Sequence, residues 1–325
     1  MARFLPHCCC ILTFAFFLLF PNAAATRHNM IGGGATIQAA IDAVPMGNKK
    51  WVTIVVKAGV YREKVKIPAG KEFIYLKGEG MGRTVVTWGD HDSMLSSATF
   101  ESLADNILVS GISFVNSYNY PAAGGVPVKA AVAAKISGDK AAFFECSFSG
   151  YQDTLLDDAG RHYFKECTVE GAIDFIFGGG QSIYERCRIW VNGGTIKPAP
   201  VGYITAQARN EAYNGGGFVF KQCNVTGNCK AFLGRAWKSY SRALYYRSYL
   251  SDIVVPPGWD AWSSAGHESQ LTFAEEECYG LGSNKRNRVR WEKTLSRDQL
   301  RSLTSITFVD SDGWMQKLPL KIQYL

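Results

Sequence analysis

The sequence predicts an all-β chain wound as a parallel β-helix, a solenoid with short capping helices, and three observations carry that expectation. A phrase with an aromatic residue three positions before a cysteine recurs at Phe143/Cys146, Phe164/Cys167, Tyr184/Cys187 and Phe220/Cys223, each with an apolar residue two positions later. Each copy alternates apolar and polar residues and runs into a glycine or turn, as a short strand does. The steps from Cys146 to Cys167 and from Cys167 to Cys187 are 21 and 20 residues, a coil-sized period with longer steps elsewhere as loop insertions. One recurring marker per unit, rather than a hairpin-like pair, favours stacked coils over a sandwich. Weaker copies fall at Leu108–Phe114, with Gly111 in the cysteine place, and at Tyr245–Leu250, with Ser248 there.

From the start of the chain, Arg3 precedes an apolar run from Cys8 to Phe20, followed by Ala23 and Ala25. That order reads as a secretory signal cleaved after Ala25, leaving 26–325 as a single domain. The run is short for a membrane span and no later stretch approaches one, so the expected mature chain is secreted and free of the membrane. With 325 residues, 47% of them hydrophobic, the chain has material for a large core. Removing the leader takes Arg3 and Cys8, Cys9 and Cys10, which lowers the formal charge from +7 to +6 and leaves six of nine cysteines. A modest basic balance suits a polyanionic polysaccharide and serves solubility equally well; no nucleic-acid partner is expected.

Thr36–Val44 carries apolar residues at 37, 40, 41 and 44 before Pro45, a short amphipathic helix, and Trp51–Val56 reads as the first strand. The coils follow. Cys146, Cys167 and Cys187 then form a buried column between coils rather than a metal site, because no Cys-x-x-Cys pair occurs and the histidines are scattered. Cys223, Cys229 and Cys278 stay open as disulfide partners. The cluster Lys285–Arg290 reads as a solvated loop, and Ser296 as the cap of a second helix reaching about Leu303. Both helices are candidates for covering the solenoid's ends.

Two acidic phrases, Gln152-Asp153 and Asp174-Phe175, lie 21 residues apart, the same step as Cys146 to Cys167. Stacked strands are about 4.8 Å apart, so the fold brings the two carboxylates together on one face. Close like charges raise at least one pKa, which suits an acid working beside an anion. Polar ladders without chemistry also occur in solenoids, so spacing alone leaves the role open. Gln152 adds an amide donor, Phe175 and Phe177 exclude water, Arg235 can hold a carboxylate ionised, and Trp237 can stack on a sugar. Together they suggest a carbohydrate-active site. Gln152 and Asp153 are adjacent, however, and a regular strand would point them to opposite faces, so a bend or strand end is expected here.

Across nearly all of the expected mature chain, the sequence resembles the plant-type pectinesterases (pectin methylesterases). The resemblance rests on Gly59-Val-Tyr-Arg-Glu-Lys-Val65, Ser137-Gly-Asp139, Gly150-Tyr-Gln-Asp-Thr-Leu155, Asp174-Phe-Ile-Phe-Gly178 and Leu233-Gly-Arg-Ala-Trp237, in that order. It implies a right-handed parallel β-helix and hydrolysis of methyl esters of galacturonan in pectin, in the cell wall, without metal or cofactor. It further implies Asp174 as nucleophile, Asp153 as general acid and base, Arg235 orienting Asp174, Gln152 donating to the oxyanion, and Trp237 with Phe177 meeting the sugar chain. A proteinaceous inhibitor is an open partner, and a monomer is the default for a capped solenoid.

The resemblance breaks at one place that bears on catalysis. The family's Gln-Ala-Val-Ala phrase corresponds to Ala130-Ala131-Val132-Ala133, so Ala130 stands where a second amide donor is expected. Leu156 and Gly179 also replace a common Tyr and Asn. Three readings follow: a working but slow esterase, a catalytically impaired pectin-binding wall protein, and, well behind, another β-helix enzyme such as a pectate lyase or polygalacturonase. Asn224-Val-Thr226 is a glycosylation sequon overlapping an expected strand.

Overall fold

Short strands rich in β-branched and aromatic residues, such as Val52–Val56, Ala141–Phe144 and Gly217–Lys221, pair in parallel with their counterparts one coil away. The computed structural model of the chain describes residues 27–31, 36–121, 127–194 and 201–320; the expected signal segment, residues 1–25, lies outside them. Successive coils contribute strands to three sheets in turn, and among the described residues the first has ten strands and the second and third eight each. This is the predicted parallel solenoid. Among the described residues no helix is long and apolar enough to cross a membrane.

The recurring phrase has a clear structural meaning. Its aromatic residues fall in register and stack inside the first sheet, with Phe143–Phe164, Phe164–Tyr184, Tyr184–Phe220 and Phe220–Tyr245 centroids 5.0, 4.5, 4.8 and 4.5 Å apart. Each such pair adds about 0.5–1.5 kcal/mol beyond the area it buries. The residue just before the cysteine turns the chain from the first sheet to the second: Glu145, Glu166, Arg186, Gln222, Arg247 and Glu277 all have φ of +50° to +55°. The cysteine then points inward, and its thiol donates to a carbonyl one coil back, Cys167 to Phe143, Cys187 to Phe164 and Cys223 to Tyr184. Ser248 makes the same bond to Phe220 O at 3.1 Å, as its place in the repeat predicts.

Several expectations need correction. Phe144 pairs with Ser110, so Gly111, at φ +64°, takes the left-handed turn place beside Glu145, and Ile112 takes the cysteine place. Cys278 extends the thiol column, bonding Tyr245 O at 3.3 Å, and Cys223, Cys229 and Cys278 all carry free thiols rather than disulfides. Arg288, in the supposed solvated loop, is buried against Glu275 in a two-pronged ion pair of 2.6 and 3.0 Å.

The ends are closed differently from one another. Thr36 caps helix Ile37–Asp42, whose Ile37 and Ile41 bury against the core as predicted. The C-terminal helix Arg297–Thr304 forms with the predicted Ser296 cap, but it does not cover an end. Leu303, Phe308, Trp314 and Met315 lie instead along the outer face of the first sheet, against Tyr163, Ile183 and Val219. Val289 and Trp291 pack on the core, Trp291 against Phe273 of strand Thr272–Glu276, the last of the first sheet, so the loop with the basic cluster closes that end. Asn224 is exposed on strand Asn224–Gly227 of the second sheet.

Candidate active site

The site is built on the third sheet, where successive coils place Leu156, Phe177, Ala206, Arg235 and Asp260 in one register row. Gly234 lets this row close up: a Cβ there would come within 2.0 Å of Thr205 Oγ1, which explains the glycine before Arg235. Leu155 pairs with Ile176, which sets Asp153 across from Asp174 as the 21-residue spacing predicts.

Both aspartates leave the regular strand conformation. Asp153 has φ +61° and Asp174 φ +48°, and the ladder slips between Ile173 and Ile176. Left-handed non-glycine residues are uncommon, aspartate being among those that tolerate it best, and such strain and bulges concentrate at functional sites. Here the departure has a direct consequence: it aims Asp153 into the same cavity as its neighbour Gln152, resolving the strand-parity difficulty.

That cavity, about 220 Å³, is lined by Gln152, Asp153, Asp174, Phe177, Arg235 and Trp237, together with Met94, Ala206 and Trp262. The sequence brings its six principal candidates together. Ala130 is not among the lining residues; it is half-buried, with its carbonyl accepting from Asp92 N–H at 3.0 Å. Neighbouring Lys129 is engaged with Asp92 at 2.6 Å.

The two carboxyls have different surroundings. Arg235 forks onto Asp174, Nε donating to Oδ1 at 2.8 Å and Nη2 to Oδ2. Among the described residues Asp153 has no such partner. Burial, and then the charge of Asp174, push the Asp153 carboxyl up to about 7, against the opposing pull of Arg235. Burial, with the charge of Asp260, raises Asp174 as well, and its hydrogen bonds and ion pair with Arg235 offset that rise only in part. The Gln152 amide makes no side-chain hydrogen bond among the described residues, which leaves its donors for a ligand. The arrangement can thus present an arginine-paired carboxylate, a protonated carboxyl and a free amide donor to one bound group.

Met94 and Ala206 of the lining, and Tyr203, Trp262 and Asp260 around Arg235, escaped the sequence reading. The Arg235 guanidinium is covered by the Tyr203 and Trp262 rings, at 4.2 and 3.8 Å from its Cζ, and Asp260 bonds the Tyr203 hydroxyl. For Asp260 and Trp262 the available signal was the dense phrase Gly258-Trp259-Asp260-Ala261-Trp262. Phe177 and Trp237, 6.0 Å apart, form the apolar wall.

A pectinesterase family model matches residues 26–312. The chain belongs to the pectinesterase family. It is 52% identical over 292 residues to probable pectinesterase 29 of Arabidopsis thaliana, covering 89% of this chain and 87% of the relative, and 50% identical to probable pectinesterase 55 of the same plant, covering 90% and 89%. Among solved structures, the pectin methylesterase from carrot superposes with TM-score 0.82 at 26% identity, covering 94% of this chain and 99% of that one. The deglycosylated enzyme from Aspergillus niger gives 0.76 at 28% identity, covering 90% and 97%. The pectinesterase coil is thereby the right-handed parallel β-helix, and the chain is a carboxylic ester hydrolase.

Proposed function

We propose that this pectinesterase-family chain hydrolyses the methyl esters of galacturonan in pectin, releasing methanol and free carboxylates. The observation that carries this reading is the asymmetric pair of aspartates in one cavity, Asp174 forked by Arg235 and Asp153 raised to about 7. Arg235 holds Asp174 with electron density directed at the ester carbonyl carbon; attack forms an O–C bond and a tetrahedral oxyanion that Gln152 Nε2 stabilises. As the C–O bond to the methoxy group breaks, Asp153 delivers its proton and methanol leaves. The acyl-enzyme is then opened by water, whose proton passes to Asp153, restoring both aspartates.

Phe177 and Trp237 contribute an apolar wall against which a sugar face can stack. The modest positive charge favours an acidic polymer, and the expected leader and the sequon at exposed Asn224 fit a secreted, glycosylated wall enzyme acting as a monomer. A second reading, a pectin-binding protein with little turnover, is favoured by one observation, the alanine at 130. Methanol release from highly methylated pectin separates them. Release by the wild type, abolished in Asp174→Ala, supports the esterase; binding without release supports the second reading.

A further inference from the structure

We propose that Asp260 is a positioning residue of this site, holding Tyr203 and Trp262 on the Arg235 guanidinium and so fixing the fork that Arg235 presents to Asp174. Asp260 lies directly across from Arg235 in the parallel register of the third sheet. Its Oδ2 accepts from the Tyr203 hydroxyl at 3.1 Å, and its Oδ1 accepts from the Trp262 backbone N–H at 2.8 Å. The two groups it holds are the two whose rings cover Arg235.

The partners differ in how much else restrains them. Tyr203 is also stacked on Phe232, 5.1 Å away and 6° from parallel. Trp262 is 42% exposed, at φ +42°, in a three-residue helical turn; Ser263 Oγ ties that turn to Ala236 O and Trp237 O at 2.6 and 2.9 Å, and the bond to Asp260 holds the Trp262 backbone itself. An arginine on its flexible stem pairs with a carboxylate in two-pronged fashion only when the fork is held in plane. Two rings on the guanidinium supply that constraint, and one carboxylate holds the hydroxyl of one and the backbone of the other. Asp260 is not among the residues lining the cavity; it reaches the site by positioning Arg235, and its charge is also felt by Asp174, which is why the charge must be separated from the anchor.

The chemistry separates the anchor from its charge. Asp260→Asn keeps an oxygen for the Trp262 N–H and an amide that the Tyr203 hydroxyl can accept from, so it preserves both contacts; Asp260→Ala removes both. The kinetic part of the test rests on the esterase reading, and exchange of the Arg235 Nε–H, read by NMR on the labelled full chain, does not.

Asp260→Ala is expected to lower kcat on methylated pectin on the order of ten- to a hundredfold with KM within about twofold, and to speed the Nε–H exchange. Asp260→Asn is expected to restore kcat to within about threefold of wild type. Should Asp260→Ala fail to fold, Tyr203→Phe, which deletes one hydroxyl, must show a part of both effects. Wild-type kcat and exchange in Asp260→Ala would overturn the proposal while leaving the esterase reading intact. A wild type that releases no methanol would sink the esterase reading, and the exchange rates would still decide the role of Asp260.

Discussion

Asp153 and Asp174 occupy the same place in successive coils, both in the left-handed conformation, yet Arg235 grips only Asp174. One position repeated in two coils has been divided into two chemical roles by a side chain that arrives 61 residues after Asp174.

The division sets a pH dependence. In the proposed mechanism Asp153 must carry a proton to release methanol, and burial and the Asp174 charge push its carboxyl up to about 7. Measured as kcat/KM on methylated pectin, the profile should fall above pH 7 as that proton is lost. Stability follows the same sign. A carboxyl raised in the folded state favours folding most below its unfolded value, about 3.9, and that contribution is lost as pH rises through about 7. Asp153→Asn should therefore melt no lower than wild type at pH 8, while losing activity.

Ala130 offers a gain of function. Losing one oxyanion donor typically costs about 10²- to 10³-fold in turnover, so Ala130→Gln is expected to raise kcat, by up to about 10²-fold if the new amide reaches the oxyanion. Unchanged methanol release in that variant would show that position 130 does not supply an oxyanion donor in this chain.

The thiol column should be chemically silent. Cys146, Cys167, Cys187 and Cys223 are buried, and burial pushes Cys146, Cys167 and Cys187 well above the ordinary thiol range. Titration with an aromatic disulfide reagent should find these four unreactive in the native chain of residues 26–325, and six thiols after denaturation. Fewer than six on denaturation without reductant would show that disulfides form.

Behind the site, His162 is fully buried with Nδ1 at 2.6 Å from Asp157 and Nε2 at 2.8 Å from Gly138 O, while Tyr184 donates to the second Asp157 oxygen at 2.7 Å. Burial opposes the imidazolium, but Asp157 and the Gly138 carbonyl outweigh it and raise the pKa. A raised histidine stabilises fully below its unfolded value, and this contribution fades as pH rises through the folded one. His162→Ala leaves Asp157 without its cation and should cost about 3–5 kcal/mol, measured by denaturant unfolding at pH 6.

The repeat, the coil period and the pairing of Asp153 with Asp174 were legible in the sequence, because a parallel solenoid turns a constant spacing into adjacency. The six principal cavity residues were legible too, from residue chemistry near two equal steps and from family resemblance. The register around Gly111 was not: a glycine that marks a left-handed turn looks like a small residue in a cysteine place until the strands are paired. The burial of Arg288 was hidden for a similar reason, since its partner Glu275 lies on the last strand of the first sheet and its neighbours in sequence are charged.

By itself, then, the sequence determined the solenoid, the coil that brings the aspartates together and the residue types in the cavity, since these follow from local pattern and constant period. Tertiary structure alone decided which aspartate Arg235 grips, how left-handed backbone turns Asp153 into the cavity beside Gln152, and that Tyr203, Trp262 and Asp260 surround the guanidinium. Those outcomes depend on contacts between coils separated by unequal loops, and no spacing along the chain encodes the distance across them.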